Sequence, residues 1–113
     1  MSTLILQIRE RLPLAPFVAQ YSGGVKQSGR GWFVAVTCPF CTGHKKLWID
    51  GRPGRQVCNC FKPTCAAFRP MDVINFYARL KGLDNRRAIE ELAREVGLWE
   101  ESNTRVYHTQ GRA

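Results

Sequence analysis

Acidic residues are scarce in the first part of this chain. Residues 1–69 contain Glu10 and Asp50 as their only acids but ten Lys or Arg, whereas residues 70–113 contain seven residues of each sign. The formal net charge of +8 therefore lies entirely in residues 1–69. Phosphoryl transfer by two metal ions needs clustered carboxylates. Two scattered acids exclude such a catalytic site in this part of the chain.

Long hydrophobic runs are also missing. No stretch approaches the roughly 20 apolar residues of a membrane-spanning helix, and Met1 to Leu12 shows no basic leader followed by a long apolar block. These absences predict a cytoplasmic protein without a membrane partner, in which thiols stay reduced. With 113 residues, 44% of them hydrophobic, we expect a single domain with a modest core.

Cysteine is confined to one stretch of the chain, from Cys38 to Cys65. It forms two short clusters, which match the spacing of a tetrahedral zinc site in which each cluster supplies two thiolates. An odd number of cysteines in paired short spacings disfavours a disulfide framework. The spacing therefore predicts one structural zinc ion bound by four of the five thiols.

Three of the ligands follow from local spacing. Two residues separate Cys38 from Cys41, so both sulfurs can turn onto one ion. Cys65 follows the turn-like run Lys62-Pro63-Thr64, which suits a closing ligand. These three cysteines are expected to bind the metal.

The fourth ligand is either Cys58 or Cys60. Both stand on one face of a predicted strand, so side-chain alternation does not separate them. Cys60 is favoured because it forms the tighter loop with the last cysteine, and Cys58 would then be a small buried residue. The alternative assignment to Cys58 stays open. His44 is a further candidate, although beside Lys45 and Lys46 it fits an exposed hairpin histidine.

Aromatic residues are interleaved with the basic residues of the first part. Such a combination suits a phosphate backbone and stacked bases, whereas a solvated surface over core aromatics is the simpler alternative. We predict that single-stranded DNA binds across the sheet, with a base stacked on Trp48. Trp32 is the second choice for stacking, because it begins the strand that leads to the first cysteine pair and is expected in the core. The predicted phosphate contacts are Lys45, Lys46, Arg52, Arg55 and Lys62.

Hydrophobic periodicity predicts an α+β fold. An apolar stripe predicts an N-terminal helix over 3–12, and a short helix or turn is expected over 15–21. Apolar faces with start and stop signals predict two C-terminal helices, over 71–81 and 85–96. Residues rich in β-branched and aromatic side chains predict strands at 32–37, 47–49 and 55–60.

These strands form a small antiparallel sheet with the cysteine clusters at strand ends, which is typical of a zinc ribbon. We expect the ribbon over about 31–69 and the helices over about 71–97, within a domain of residues 1–99. Residues 100–113 are polar and lack periodicity, so a flexible tail or linker is predicted.

The order of these parts resembles the N-terminal zinc-binding domain of bacterial and phage DNA primases of the DnaG type. The resemblance covers about residues 12–98. It is carried by Cys38-Pro39-Phe40-Cys41, the step Cys60-Phe61 with the later Cys65, the run Met71-Asp72-Val73-Ile74-Asn75-Phe76, and the run Ala88-Ile89-Glu90-Glu91-Leu92-Ala93.

The resemblance implies a zinc site made by Cys38, Cys41, Cys60 and Cys65. It also implies recognition of a single-stranded DNA template, at which a separate catalytic domain or subunit makes an RNA primer for replication. A helicase is a further expected partner. The chain itself is expected to be the non-catalytic part of such a primase.

Some positions depart from the pattern of that family. Its second ligand is often His where this chain has Cys41, and four residues separate Cys60 from Cys65 where two are usual. The glycines that normally follow are replaced by residues 66–70. The alternative function is a zinc-ribbon adaptor or regulator that binds duplex DNA or a replication or transcription protein. An enzyme using the zinc or Cys58 is disfavoured, because four cysteines close the metal site.

Overall fold

The structure is a computed structural model and describes residues 2–98 of the chain. It contains four helices and four strands, which confirms the predicted α+β class. The predicted tail, with Trp99, lies outside the described residues. In chain order the elements are α1 (Ser2–Arg11), α2 (Leu14–Ser22), β1 (Val25–Gly29), β2 (Trp32–Ala35), β3 (Leu47–Asp50), β4 (Val57–Cys60), α3 (Val73–Lys81) and α4 (Asn85–Glu95).

The four strands form one antiparallel sheet in the order β1-β2-β3-β4. Ile49 pairs with Phe33 and Cys58 on its two sides, and its side chain is fully buried. We call this side of the sheet the core face. Neighbouring residues point to the opposite side, since side chains alternate along a strand. We call that side the outer face, and it includes Lys26, Trp32, Val34, Trp48 and Asn59.

Strand β1 was not predicted from the sequence. Its residues Val-Lys-Gln-Ser-Gly are exposed after the first one, because β1 is an edge strand. A bulge between Gln27 and Gly29 further interrupts its pairing with β2. A polar edge strand of this kind has no apolar alternation by which it could be recognised.

The helices cover the core face through an aromatic cluster. Phe17 of α2 and Phe76 of α3 are buried, with ring centroids 6.0 Å apart in an edge-on arrangement. Phe40, from the first cysteine loop, packs edge-on against Phe76 at 5.5 Å. The first cysteine pair is therefore joined directly to the helical core.

Helix α3 begins two residues later than predicted. Met71 instead forms an antiparallel bridge with Cys58, with both backbone N–H to O distances at 2.8 Å. Asp72 then caps the helix, since its carboxylate accepts the Asn75 N–H at 2.8 Å. The helix ends at Gly82 as predicted, in the left-handed conformation that glycine favours.

Asp50 is buried on the sheet and its carboxylate accepts two guanidinium N–H groups of Arg52, at 2.8 and 2.7 Å. This hydrogen bonding lowers the pKa of Asp50. A carboxyl whose pKa is lower in the folded chain stabilises the fold above its unfolded pKa of about 3.9. We therefore expect Asp50→Asn to lower the Tm at pH 7. Thermal unfolding of this variant and of Glu10→Gln, a control at an exposed acid, measures the effect. Equal Tm values for the two variants would contradict the prediction.

Candidate metal centre

Four of the five cysteines meet at one end of the sheet. The sulfurs of Cys38, Cys41, Cys60 and Cys65 all lie within 4.8 Å of one another. Two of the separations are 3.6 Å, between Cys38 and Cys65, and 3.7 Å, between Cys41 and Cys60. Tetrahedral zinc with bonds of about 2.3 Å to sulfur places its thiolates about 3.8 Å apart. The donor atoms and their spacing therefore fit one zinc ion.

The first cysteine pair is held by a tight loop after β2. The Thr42 N–H donates to the Cys38 carbonyl at 2.8 Å, and the Cys38 N–H donates to the Gly43 carbonyl at 3.0 Å. Gly43 leaves room for this loop, because a Cβ atom there would lie 2.9 Å from Cγ of Lys46 and 3.3 Å from the Cys41 sulfur. The loop turns both sulfurs of the pair toward the same point.

The second pair lies at the end of β4 and in the turn that follows. The Cys65 N–H donates to the Lys62 carbonyl at 2.9 Å, which confirms the turn predicted from Lys62-Pro63-Thr64. Backbone N–H groups also donate to the sulfurs, from Lys62 to Cys60 at 3.4 Å and from Ala67 to Cys65 at 3.3 Å. Such donors stabilise the thiolate form that binds zinc.

Cys58 lies outside this cluster. It shares the core face with Cys60, as expected, but it lies two residues further from the zinc end of the sheet, where its side chain is buried and its backbone is bridged to Met71. Burial, and then the negative charge of Asp72, raises the pKa of Cys58 to about 12, so the residue is a neutral thiol at pH 7. His44 is exposed and also lies outside the cluster.

The clustered thiols differ in their acidity. Burial raises the pKa of Cys38 and of Cys60. Burial acts in the same direction on Cys41, but hydrogen bonds from the Gly43 backbone and from neighbouring cysteines outweigh it and lower its pKa to about 7. Bound zinc would supply the positive charge that holds all four sulfurs as thiolates.

The site is closed. Cys38 and Cys60 are fully buried and Cys65 is nearly so. Four protein ligands fill a tetrahedral shell and leave no position for water or substrate, which is the arrangement of structural zinc rather than catalytic zinc. The four cysteines thus form a single structural zinc site that ties the loop after β2 to the end of β4.

The predicted nucleic-acid contacts lie at two ends of the sheet. Lys46 precedes β3 at the zinc end, and its carbonyl accepts the Phe61 N–H at 2.9 Å, which also brings Lys62 to this end. Arg52 and Arg55 lie in the turn between β3 and β4, at the opposite end. Arg52 is engaged there with Asp50, and its guanidinium lies 5.0 Å from the centroid of the Trp32 ring. Nucleic-acid binding by these residues stays a prediction.

The expectation that Trp32 belongs to the core is wrong. Its side chain is 38% exposed, and it lies on the outer face, on the same side of β2 as Val34. The core positions of β2 are instead Phe33 and Ala35. The outer face consequently carries both Trp32 and Trp48.

Two outer-face residues were not among the predicted contacts. Phe61 continues the pairing of β3 with β4 and is 57% exposed, with its ring centroid 6.2 Å from that of Trp48. Lys26 belongs to the unpredicted strand β1 and pairs with Val34. The sequence step Cys60-Phe61 could have indicated that Phe61 lies on this face. The position of Lys26 could be inferred only by recognising β1.

The fold and the site together define a small α+β domain with a four-cysteine structural zinc site. No protein-family model matches the chain, and no curated protein or solved structure matches it. Among the described residues, no helix has the length and apolar content needed to cross a membrane.

Proposed function

We propose that this chain is a zinc-stabilised module that binds single-stranded DNA on the outer face of its sheet. The observation that carries the proposal is the set of aromatic side chains on that face. Trp48 and Phe61 lie with their rings inclined by 35°, and Trp32 is exposed further along the same face. Accessible rings on a sheet provide stacking surfaces for successive unpaired bases.

Basic side chains on and beside the outer face support the same proposal. Lys26 and Lys45 line a small cleft of about 70 Å³ together with His44. Within residues 2–98, the salt bridges join Arg52 to Asp50 and Arg86 to Glu90, so none of the lysines beside the outer face is neutralised in this way. Their charge is available for phosphates, which dominate the affinity of nucleic-acid binding.

We further propose that the module recognises the template of a DNA primase in the cytoplasm. The four-cysteine site, the helix that follows it and the basic outer face support the resemblance to the zinc-binding domain of that family. A separate catalytic domain or subunit would carry the clustered carboxylates that primer synthesis requires. The chain would then position the template strand beside that partner, with a helicase as a further partner of the assembly.

Removing charge at the zinc end of the outer face is expected to weaken binding to any single strand. The Lys45→Ala/Lys46→Ala double variant should reduce the salt dependence of log K by about 0.7 for each phosphate that the protein no longer neutralises. Trp48→Ala should instead cost about 1–3 kcal/mol of binding free energy with little change in salt dependence, because stacking releases no counterions. Fluorescence anisotropy of a labelled strand at several salt concentrations measures both quantities.

The matched control is Lys81→Ala/Arg94→Ala, which removes the same charge from exposed positions in the last turns of α3 and α4. This control should retain most of the affinity. A lysine double variant with the affinity and salt dependence of the wild type would contradict the proposed surface. Tighter binding to duplex than to single-stranded DNA would favour an adaptor or regulator instead.

A further inference from the structure

A second basic surface lies next to the outer face, on the other side of the β4 edge. Residues 67–71 cover that edge, because the Cys60 N–H donates to the Ala67 carbonyl at 2.6 Å and Met71 bridges Cys58. Between these anchored ends, residues 68–70 are exposed. The exposed part contains an aromatic residue followed by a basic one, Phe68 and Arg69.

A groove of about 530 Å³ lies behind this segment, beside the first turns of α3 and α4. Arg69 and Arg79 both line it. Arg79 is fixed there because its Nη1 donates to the Ala66 carbonyl at 3.1 Å. Asn75 and Asn85 add polar groups and are joined by a hydrogen bond of 3.3 Å. The groove thus presents guanidinium and amide groups, and hydrogen bonds hold several of these groups in place.

One acid also lines the groove, but it is engaged by the backbone. The Asp84 carboxylate accepts the Arg87 N–H at 2.8 Å and caps α4. Its negative charge therefore offsets the positive end of that helix. With two arginines and one capping carboxylate among its lining residues, the groove has a net positive charge and suits an anionic chain.

The groove is continuous with the outer face through Phe68. Asn59 stands on the outer face, and its Nδ2 donates to the Phe68 carbonyl at 3.4 Å. The Phe68 side chain is 45% exposed at this boundary. A strand that leaves Trp48 and Phe61 therefore meets another accessible ring before it reaches the arginines.

We infer that the groove binds the phosphate backbone of the same single strand after it leaves the outer face, with a base stacked on Phe68. This inference rests on the proposed function. It makes the binding site longer than the outer face, because the strand turns around the β4 edge toward Arg69 and Arg79. Short strands would occupy the outer face alone, whereas longer strands would reach the groove.

The test compares labelled single strands of about four and about twelve nucleotides, within the range of known site sizes. Arg69→Gln should leave binding of the short strand unchanged and lower the salt slope for the long strand by about 0.7. Phe68→Leu, which keeps an apolar side chain, should weaken the long strand about fivefold or more. Anisotropy at several salt concentrations measures both effects.

Arg94→Gln is the charge-matched control, because Arg94 lies near the end of α4 that is remote from the groove. Equal binding of the long strand by Arg69→Gln and Arg94→Gln would overturn the inference, as would a loss of short-strand binding in Arg69→Gln. If Trp48→Ala weakens both strands while Arg69→Gln weakens neither, the groove inference fails and the proposed function stands. If the wild type binds neither strand, the proposed function fails with it.

Discussion

Removing zinc with a chelator is expected to unfold the sheet and to lower the Tm strongly. Zinc would join the Cys38 loop, the end of β4 and the Cys65 turn through direct bonds to the sulfurs of all three segments. Structural zinc supplies apparent free energies of about 10–16 kcal/mol in small zinc-binding peptides. That range is comparable to the roughly 5–15 kcal/mol stability of a typical domain.

The loss should extend beyond the sheet. Phe40 lies between the first two cysteines and packs on Phe76, which also contacts Phe17 of α2. Release of the first loop therefore withdraws a ring from the helical core. We expect both the strand and the helix contributions to the circular dichroism spectrum to change.

Metal analysis of the purified protein should find one zinc ion per chain. Circular dichroism and thermal unfolding should then be recorded before chelation, after it, and after zinc is returned. The same chelator saturated with zinc is the control for effects of the chelator itself. Absence of zinc, or a spectrum and Tm unchanged by chelation, would contradict a structural zinc site.

Serine substitutions at Cys60 and Cys58 are expected to have very different effects. Cys60→Ser replaces a thiolate of the cluster with an alcohol that does not ionise at neutral pH, so the metal should be lost or bound far more weakly. Cys58→Ser buries a hydroxyl in the core, at a cost of about 1–3 kcal/mol, and should retain one zinc ion. Zinc content and denaturant unfolding distinguish the two variants.

Cys58→Ala is the matched variant that removes the thiol without burying a hydroxyl. It should also retain the zinc ion. If both Cys58 variants lose zinc while Cys60→Ser retains it, then Cys58 is the zinc ligand and Cys60 is not. Equal loss in the Cys58 and Cys60 serine variants would require a site in which both sulfurs, or His44, take part.

Local sequence determined the parts of this protein that depend on neighbouring residues. The two-residue gap between Cys38 and Cys41 is closed by a single loop, so the pairing of their sulfurs follows from spacing alone. Asp72 and Asp84 cap helices with their own side chains, and Gly82 ends one through its backbone freedom. Each of these features involves residues a few positions apart, for which sequence spacing is a sufficient guide.

The tertiary structure alone decided the fourth member of the metal site. Cys58 and Cys60 point to the same face, so no local rule separates them. Cys58 pairs with Ile49, is bridged by Met71 and is buried, whereas Cys60 pairs with Leu47 at the end where the first loop arrives. The choice depends on which distant segments cover each residue.

Tertiary structure also decided which aromatic residues face solvent. Trp32 has the large apolar side chain of a core residue, but its pairing register places it on the outer face. Phe33 occupies the core position instead. The edge strand β1 likewise forms because β2 offers it hydrogen-bonding partners, not because its polar residues favour a strand. Register and strand order are set by pairing between distant segments, and the residues of one segment do not encode them.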